Sequence, residues 1–192
     1  MVLSSISDID EYLRELQNIL QNAKDAEDLK KKIVNAPFSD RRHAALLGLG
    51  ISVLLLVNKK TRTIDRVALA DTEMAQGTLD MSVKGFSDIK IPVDYHGNFI
   101  AEAIRSRRYQ CTSDWQYLFA PALTPEESRL NQAGGGISCS FIYPLPGIKD
   151  GGALIFSYFI SIDRITNEHK DFMFHYAKLV SSAITAKGLH LK

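Results

Sequence analysis

The sequence predicts an α+β domain: an antiparallel sheet with helices on both faces, in α/β/α layers. Three observations carry that expectation. The opening and closing segments are apolar at helical spacing. The run Ile51–Val57 is β-compatible and apolar on both alternations, so its sheet needs cover on both sides. Further helical stretches lie between the strand-like segments and can supply the second helical layer.

Along the chain, Ile6, Ile9, Leu13, Leu16, Leu20 and Ala23 recur at spacings of 3, 4, 3, 4 and 3, a heptad-like stripe. After Ala23 the stripe restarts in another register at Ala26, Leu29 and Ile33, with Lys30, Lys31 and Lys32 interrupting. Residues 1–36 therefore read as an N-terminal amphipathic helix that either lies on its own domain or pairs with a second copy; both readings stay open. Pro37 ends it, because the residue before a proline is pushed out of helical geometry. Ser39 is the expected cap of a short helix through Leu47, stopped by Gly48 and Gly50.

After the strand at 51–57, residues 58–63 turn the chain and Ile64 to Ala70 forms the antiparallel return strand. Residues 71–88 are polar and poorly patterned. Ile89 to Val93 is a short strand that Pro92 assigns to an edge or a strand end. Asn98 caps a helix with Phe99, Ile100, Ala103 and Ile104 on its apolar face and Arg105, Arg107 and Arg108 in its last turn. Residues 109–115 read as extended. Thr124-Pro-Glu-Glu127 places Thr at the N-cap, Pro at the first helical position and Glu at the third, a capping box. Gly134–Gly136 breaks that helix. Strands at 137–143 and 153–161 follow, and Thr166 caps a last helix bearing Phe172, Tyr176, Leu179, Val180, Ala183 and Ile184 before Gly188 stops it. Residues 189–192 are a tail.

Composition narrows the function. At 45% hydrophobic and 23% charged residues, the chain has ample apolar surface to fold. Its net charge of +1 argues against a nucleic-acid partner, which would require phosphate neutralisation. No apolar run is long enough to cross a bilayer, and the acidic, polar N-terminus lacks a secretory pattern. Two cysteines, Cys111 and Cys139, make no disulfide framework, so a cytoplasmic setting without membrane attachment is expected.

Four segments in order resemble GAF domains: Gly97-Asn-Phe-Ile-Ala-Glu-Ala-Ile-Arg through Asp114, Ser138-Cys-Ser-Phe-Ile-Tyr-Pro-Leu145, Gly152-Ala-Leu-Ile-Phe-Ser-Tyr158, and Ile165 to Ile184. The resemblance spans residues 40 to 186 and gives a GAF-like domain at 37–188. It implies a sheet with a helical layer on one side and a ligand pocket under loops and helices on the other. It also implies sensing of a small molecule or chromophore, dimerisation, and coupling to an output, here on a partner protein or on a longer chain. It specifies no ligand, so the cofactor is unknown.

The specialised chemistries of that family lack their residues. Neither cysteine has a neighbouring histidine of the kind found where bilins attach, and Asn58-Lys59 sits in the wrong place for the cyclic-nucleotide pattern. Reduction of free methionine sulfoxide requires a thiolate and a resolving partner, and the surroundings of Cys111 and Cys139 do not match that branch; two small buried hydrophobes are the favoured reading. His169 and His175, six apart on one helix, diverge by about 240° and do not share a metal. The three arginines suit the helix dipole better than an anion site.

The connection from Tyr109 to Gly134 is the expected wall of the pocket. Candidate ligand contacts are Asp114, Trp115, Tyr117, Arg129 and Phe141, with Tyr95 as a lid residue. The aromatic residues there could equally plug the space. The expected function is a non-catalytic sensory module that dimerises through its first and last helices. The alternatives are a thiol reductase using Cys111 and Cys139, or a ligand-free scaffold.

Overall fold

The computed structural model describes residues 6–188; the first five residues of the N-terminal segment and the predicted tail 189–192 lie outside the described residues. The elements are α1 (Ile6–Gln21), α2 (Ala26–Asn35), α3 (Arg41–Leu47), β1 (Leu49–Asn58), β2 (Thr63–Leu69), α4 (Glu73–Asp80), β3 (Lys90–Pro92), α5 (Phe99–Ser106), β4 (Gln110–Thr112), α6 (Gln116–Phe119), α7 (Pro125–Gly134), β5 (Cys139–Pro144), β6 (Gly152–Tyr158) and α8 (Asn167–Lys187). The strands form one sheet in the order β3-β2-β1-β6-β5-β4, antiparallel at every pairing. The expected α+β architecture is the one observed.

The double-sided hydrophobicity of 51–57 has its cause here. β1 and β6 are the two central strands, buried along nearly their whole length. Alternation sends Leu54, Leu56, Leu154, Phe156 and Tyr158 to one face, into a core with α1, α2 and α8. It sends Ile51, Val53, Leu55 and Ile155 to the other, into a core with α5, α6 and the segments beside them. Pro92 lies in β3, at the sheet edge, as its missing N–H requires.

The N-terminal stripe belongs to the chain's own core. Leu16, Leu20, Leu29 and Ile33 are buried there with Phe172, Met173, Val180 and Ile184 of α8. Two tyrosines fasten the layer: the Tyr12 hydroxyl donates to the Pro37 carbonyl at 2.7 Å, and the Tyr176 hydroxyl donates to the Ile33 carbonyl at 2.7 Å.

Several local expectations change. The single helix over 1–36 is two helices, because Asp25 accepts from the Asp28 N–H and starts α2 where the stripe changes register. Ser39 does not cap α3; its hydroxyl donates back to the Ala36 carbonyl, and the Asp40 carboxylate accepts from the His43 N–H. Residues 71–88, read as unpatterned, contain α4, capped by Thr72 accepting from the Ala75 N–H. The extended stretch 109–115 pairs only over Gln110–Thr112.

Candidate functional site

On the α5–α7 face, the connection after β4 folds inward at Trp115. This side chain is 3% exposed. Its indole N–H donates to Ser140 Oγ at 2.8 Å, and Ser140 Oγ is hydrogen-bonded to Ser157 Oγ at 2.7 Å. The two serines face each other across β5 and β6, so a polar chain runs over the sheet floor. From above, the Gln132 side chain accepts from the Trp115 N–H and donates to the Ser113 and Ile137 carbonyls. Phe119 meets the indole edge to face, with centroids 5.3 Å apart.

Asn98 holds α6 in place. It is fully buried; its Oδ1 accepts from the Ile100 and Ala101 N–H groups, and its Nδ2 donates to the Leu118 and Ala120 carbonyls. One amide therefore caps α5 and ties it to the cover over the floor.

The candidate ligand residues separate into three groups. Asp114, Tyr117 and Arg129 stand with Trp115 around α6. Asp114 accepts from the Gln116 N–H and pairs with Arg129 at 3.1 Å, on the outer, solvent-facing side. Tyr117 is exposed and stacks on Phe99 at 5.0 Å. Tyr95 lies on the connection between β3 and α5, where its carbonyl accepts from Arg105, and is not among the residues lining the space near Trp115. Phe141 is a correction: alternation along β5 turns it to the α8 face, packed edge to face on Tyr158. Ser140, one residue earlier, is the β5 residue beneath the tryptophan.

The space enclosed is small, about 10 Å³, between the sheet, Trp115, Leu118 and Phe119. That holds at most about one water, so the aromatic residues fill the compartment in this conformation. One wall is Arg66 of β2, which sequence reasoning passed over. It is 8% exposed, its Nε has no hydrogen-bond partner, and its guanidinium lies over the rings of Phe86 at 4.2 Å and Phe119 at 5.3 Å. Burial pulls its pKa down to about 9, which leaves it cationic at neutral pH. The signal was available: Arg66 shares alternation with Ile64, an inward position in the return strand.

A larger cleft, about 720 Å³, opens at the far end of the sheet between the end of α5, the turn 145–151 and α8. Arg107, Arg108, Lys149 and Lys178 line it with Asp150, and Tyr109 stacks on Tyr143 in its wall. Arg105 borders the same cleft, with its guanidinium donating to the Val93 and Tyr95 carbonyls and to Glu102. All three arginines therefore border one cleft, with the Arg105 donors already committed.

No family model and no curated protein matches this sequence. Solved structures do match. The GAF domain of an Acinetobacter phosphoenolpyruvate-protein phosphotransferase superposes with a TM-score of 0.64 at 9% identity, covering 96% of both chains. The corresponding domain from Coxiella burnetii gives 0.64 at 15% identity, over 96% of this chain and 99% of that one. The free methionine-R-sulfoxide reductase of Neisseria meningitidis gives 0.62 at 10% identity, over 98% and 96%.

The chain has the GAF fold.

Because that fold is shared by a reductase, the thiols need placing. Cys111 pairs with Phe141, and Cys139 lies two residues away on the same strand as Phe141. Both therefore lie on the α8 face, across the sheet from Trp115. Such diagonal positions are roughly 7–8 Å apart, wider than a disulfide spans. The Cys139 thiol is buried and hydrogen-bonded to the Ile160 carbonyl; burial, with Cys111 nearby, pushes its pKa up to about 11. That suppresses the thiolate that redox chemistry needs. No cluster of three or more potential metal ligands occurs among the described residues, and no helix among them is long and apolar enough to cross a membrane.

Proposed function

We propose that this GAF-fold chain is a non-catalytic regulatory module that reads a small molecule on the Trp115 face, in a reducing cytoplasm. The observation that supports this reading is the polar chain Trp115–Ser140–Ser157 on the floor of a compartment whose other walls, apart from Arg66 and Thr78, are apolar. The Ser140 hydroxyl satisfies the buried indole N–H, and the Ser157 hydroxyl, which lines the compartment, is the floor group placed to orient a ligand.

The coupling is mechanical. Ser157 and Tyr158 are neighbours on β6, one beneath the compartment and the other in the α8 core. A ligand that lifts α6 and α7 alters the packing of the strands that also carry α1 and α8. It shifts the equilibrium only as far as its affinities for the two packings differ. A homodimer built on the terminal helices would use their outward surfaces, since the α1 stripe is committed to the chain's own core; light scattering measures that mass.

Native mass spectrometry of freshly purified protein tests the reading. A co-purifying small molecule supports it; a bare chain that also shows no thermal stabilisation by any member of a metabolite library overturns it. Turnover of free methionine sulfoxide with dithiothreitol, abolished by Cys111→Ser or Cys139→Ser, would overturn the non-catalytic part.

A further inference from the structure

The compartment beneath Trp115 has one feature that packing does not explain. Arg66 enters it from the sheet, with 8% of its surface exposed, and no hydrogen bond or ion pair to its guanidinium exists among the described residues. The neighbouring carboxylate cannot serve. Asp65 belongs to the opposite alternation, and it is held there by Asn58 Nδ2 and the Thr63 hydroxyl. A cation kept from water without a counter-charge is destabilising, and replacing it with an apolar side chain of similar size is often neutral or stabilising. Two aromatic faces, Phe86 and Phe119, offset part of that cost. They stack on the planar group and leave its buried Nε without a hydrogen-bond partner.

Resting on the small-molecule reading above, we infer that Arg66 is the anchor for the anionic group of the ligand, a small organic carboxylate with an apolar body. The guanidinium presents a fork of N–H donors suited to two carboxylate oxygens. Around it the walls are Ile51, Val53, Leu69 and Ile155, with the Ser157 hydroxyl as a secondary donor; the Thr78 hydroxyl is already donated to the Met74 carbonyl. An inorganic anion would leave those apolar walls without a partner; a ligand combining one carboxylate with a hydrocarbon or aromatic ring matches both. Entry requires the cover to move, because the present space is about 10 Å³. The segment to displace is the one bearing Phe86 and the short helix ending at Phe119.

The test uses the full chain with benzoate, indole-3-acetate and hexanoate as probes. Each is compared with its neutral amide at equal ionic strength, with thermal unfolding and tryptophan fluorescence as readouts. The expected result is that at least one acid raises Tm by about 2–4 °C and changes the fluorescence, while its amide does neither. Arg66→Met is expected to unfold at a temperature no lower than the parent chain and to lose the response. Arg66→Lys keeps the charge without the fork and weakens apparent affinity about tenfold or more, which keeps the test decisive if the methionine variant fails to fold. Arg107→Ala combined with Arg108→Ala is expected to leave the response intact.

Equal responses to acid and amide, or a response retained in both Arg66 variants, overturn the anchor while leaving small-molecule sensing standing. Loss of the response in the Arg107/Arg108 variant overturns it in favour of the open cleft. Silence toward all three acids overturns it as well. The sensing reading itself falls only with the bare mass and the unresponsive metabolite library.

Discussion

Replacing Asn98 tests how the compartment's cover is held. Asn98→Ala removes four hydrogen bonds from a fully buried side chain. Loss of the α5 cap costs about 1 kcal/mol. The Leu118 and Ala120 carbonyls lose their donor, at about 1 kcal/mol or more each, so the sum is about 3 kcal/mol. For a chain of this length that lowers Tm by about 6–12 °C. Asn98→Asp separates the two roles: its carboxylate still accepts from the Ile100 and Ala101 N–H groups, but turns a second acceptor toward the two carbonyls. Urea unfolding followed by circular dichroism and tryptophan fluorescence gives both values. The aspartate variant is expected to be at least as destabilised as the alanine variant, with its fluorescence altered before global unfolding. A near-native Asn98→Asp would refute the reasoning, because capping alone would then account for the residue.

Other outcomes follow from the same geometry. Leu16→Lys sets an ammonium into the core between α1, α8 and the sheet, where Leu16 is fully buried, and is expected to abolish cooperative unfolding; a folded monomer with native circular dichroism would mean the stripe is an intermolecular surface instead. Gly77 and Gly134 pack backbone against backbone where α4 meets α7, and a Cβ on either would strike the other's carbonyl. Gly77→Ala should therefore cost about 1–3 kcal/mol, and an unchanged denaturation midpoint would contradict that contact. His169 is held neutral: its Nδ1 accepts from the Thr166 N–H while Nε2 faces the Leu47 carbonyl, and burial lowers its pKa below 6.5. The unfolded chain thus binds the proton more readily, so this stability is full above about pH 6.5 and is lost as pH falls through the lower folded value. His169→Gln keeps the capping-box pattern and should flatten that pH dependence, measured as Tm from pH 7.5 to 5; an unchanged slope would reassign it.

The legible parts of the fold were those where one local rule had no competitor. The Thr124–Glu127 box forms in both directions, because Pro125 and the adjacent acidic residues agree on a helix start. The double-sided hydrophobicity of β1 marked a central strand without any knowledge of its partners. Phe141 was misplaced for a physical reason: Ser138 to Tyr143 carries apolar residues on both alternations, so only the partner strand decides which side faces Trp115. The serine pair decides it, and neither serine signals anything alone. The break between α1 and α2 was visible as a change of register, but choosing a turn over a distorted helix required the Asp25 cap. Arg66 was hidden among ordinary strand residues, since one inward cation in a return strand acquires meaning only when no carboxylate is found to meet it.

The chain has a single tryptophan, so its indole N–H gives one resolved resonance in a 1H–15N spectrum, and that proton is the one bonded to Ser140. Titrating the protein with whichever small molecule stabilises it is the most direct measurement of where binding occurs. The account predicts that the indole resonance moves in step with the thermal stabilisation, together with the backbone amides of Ser140 and Ser157. A stationary indole, with shifts confined to Arg107, Arg108, Lys149 and Lys178, would contradict it and relocate recognition to the open cleft.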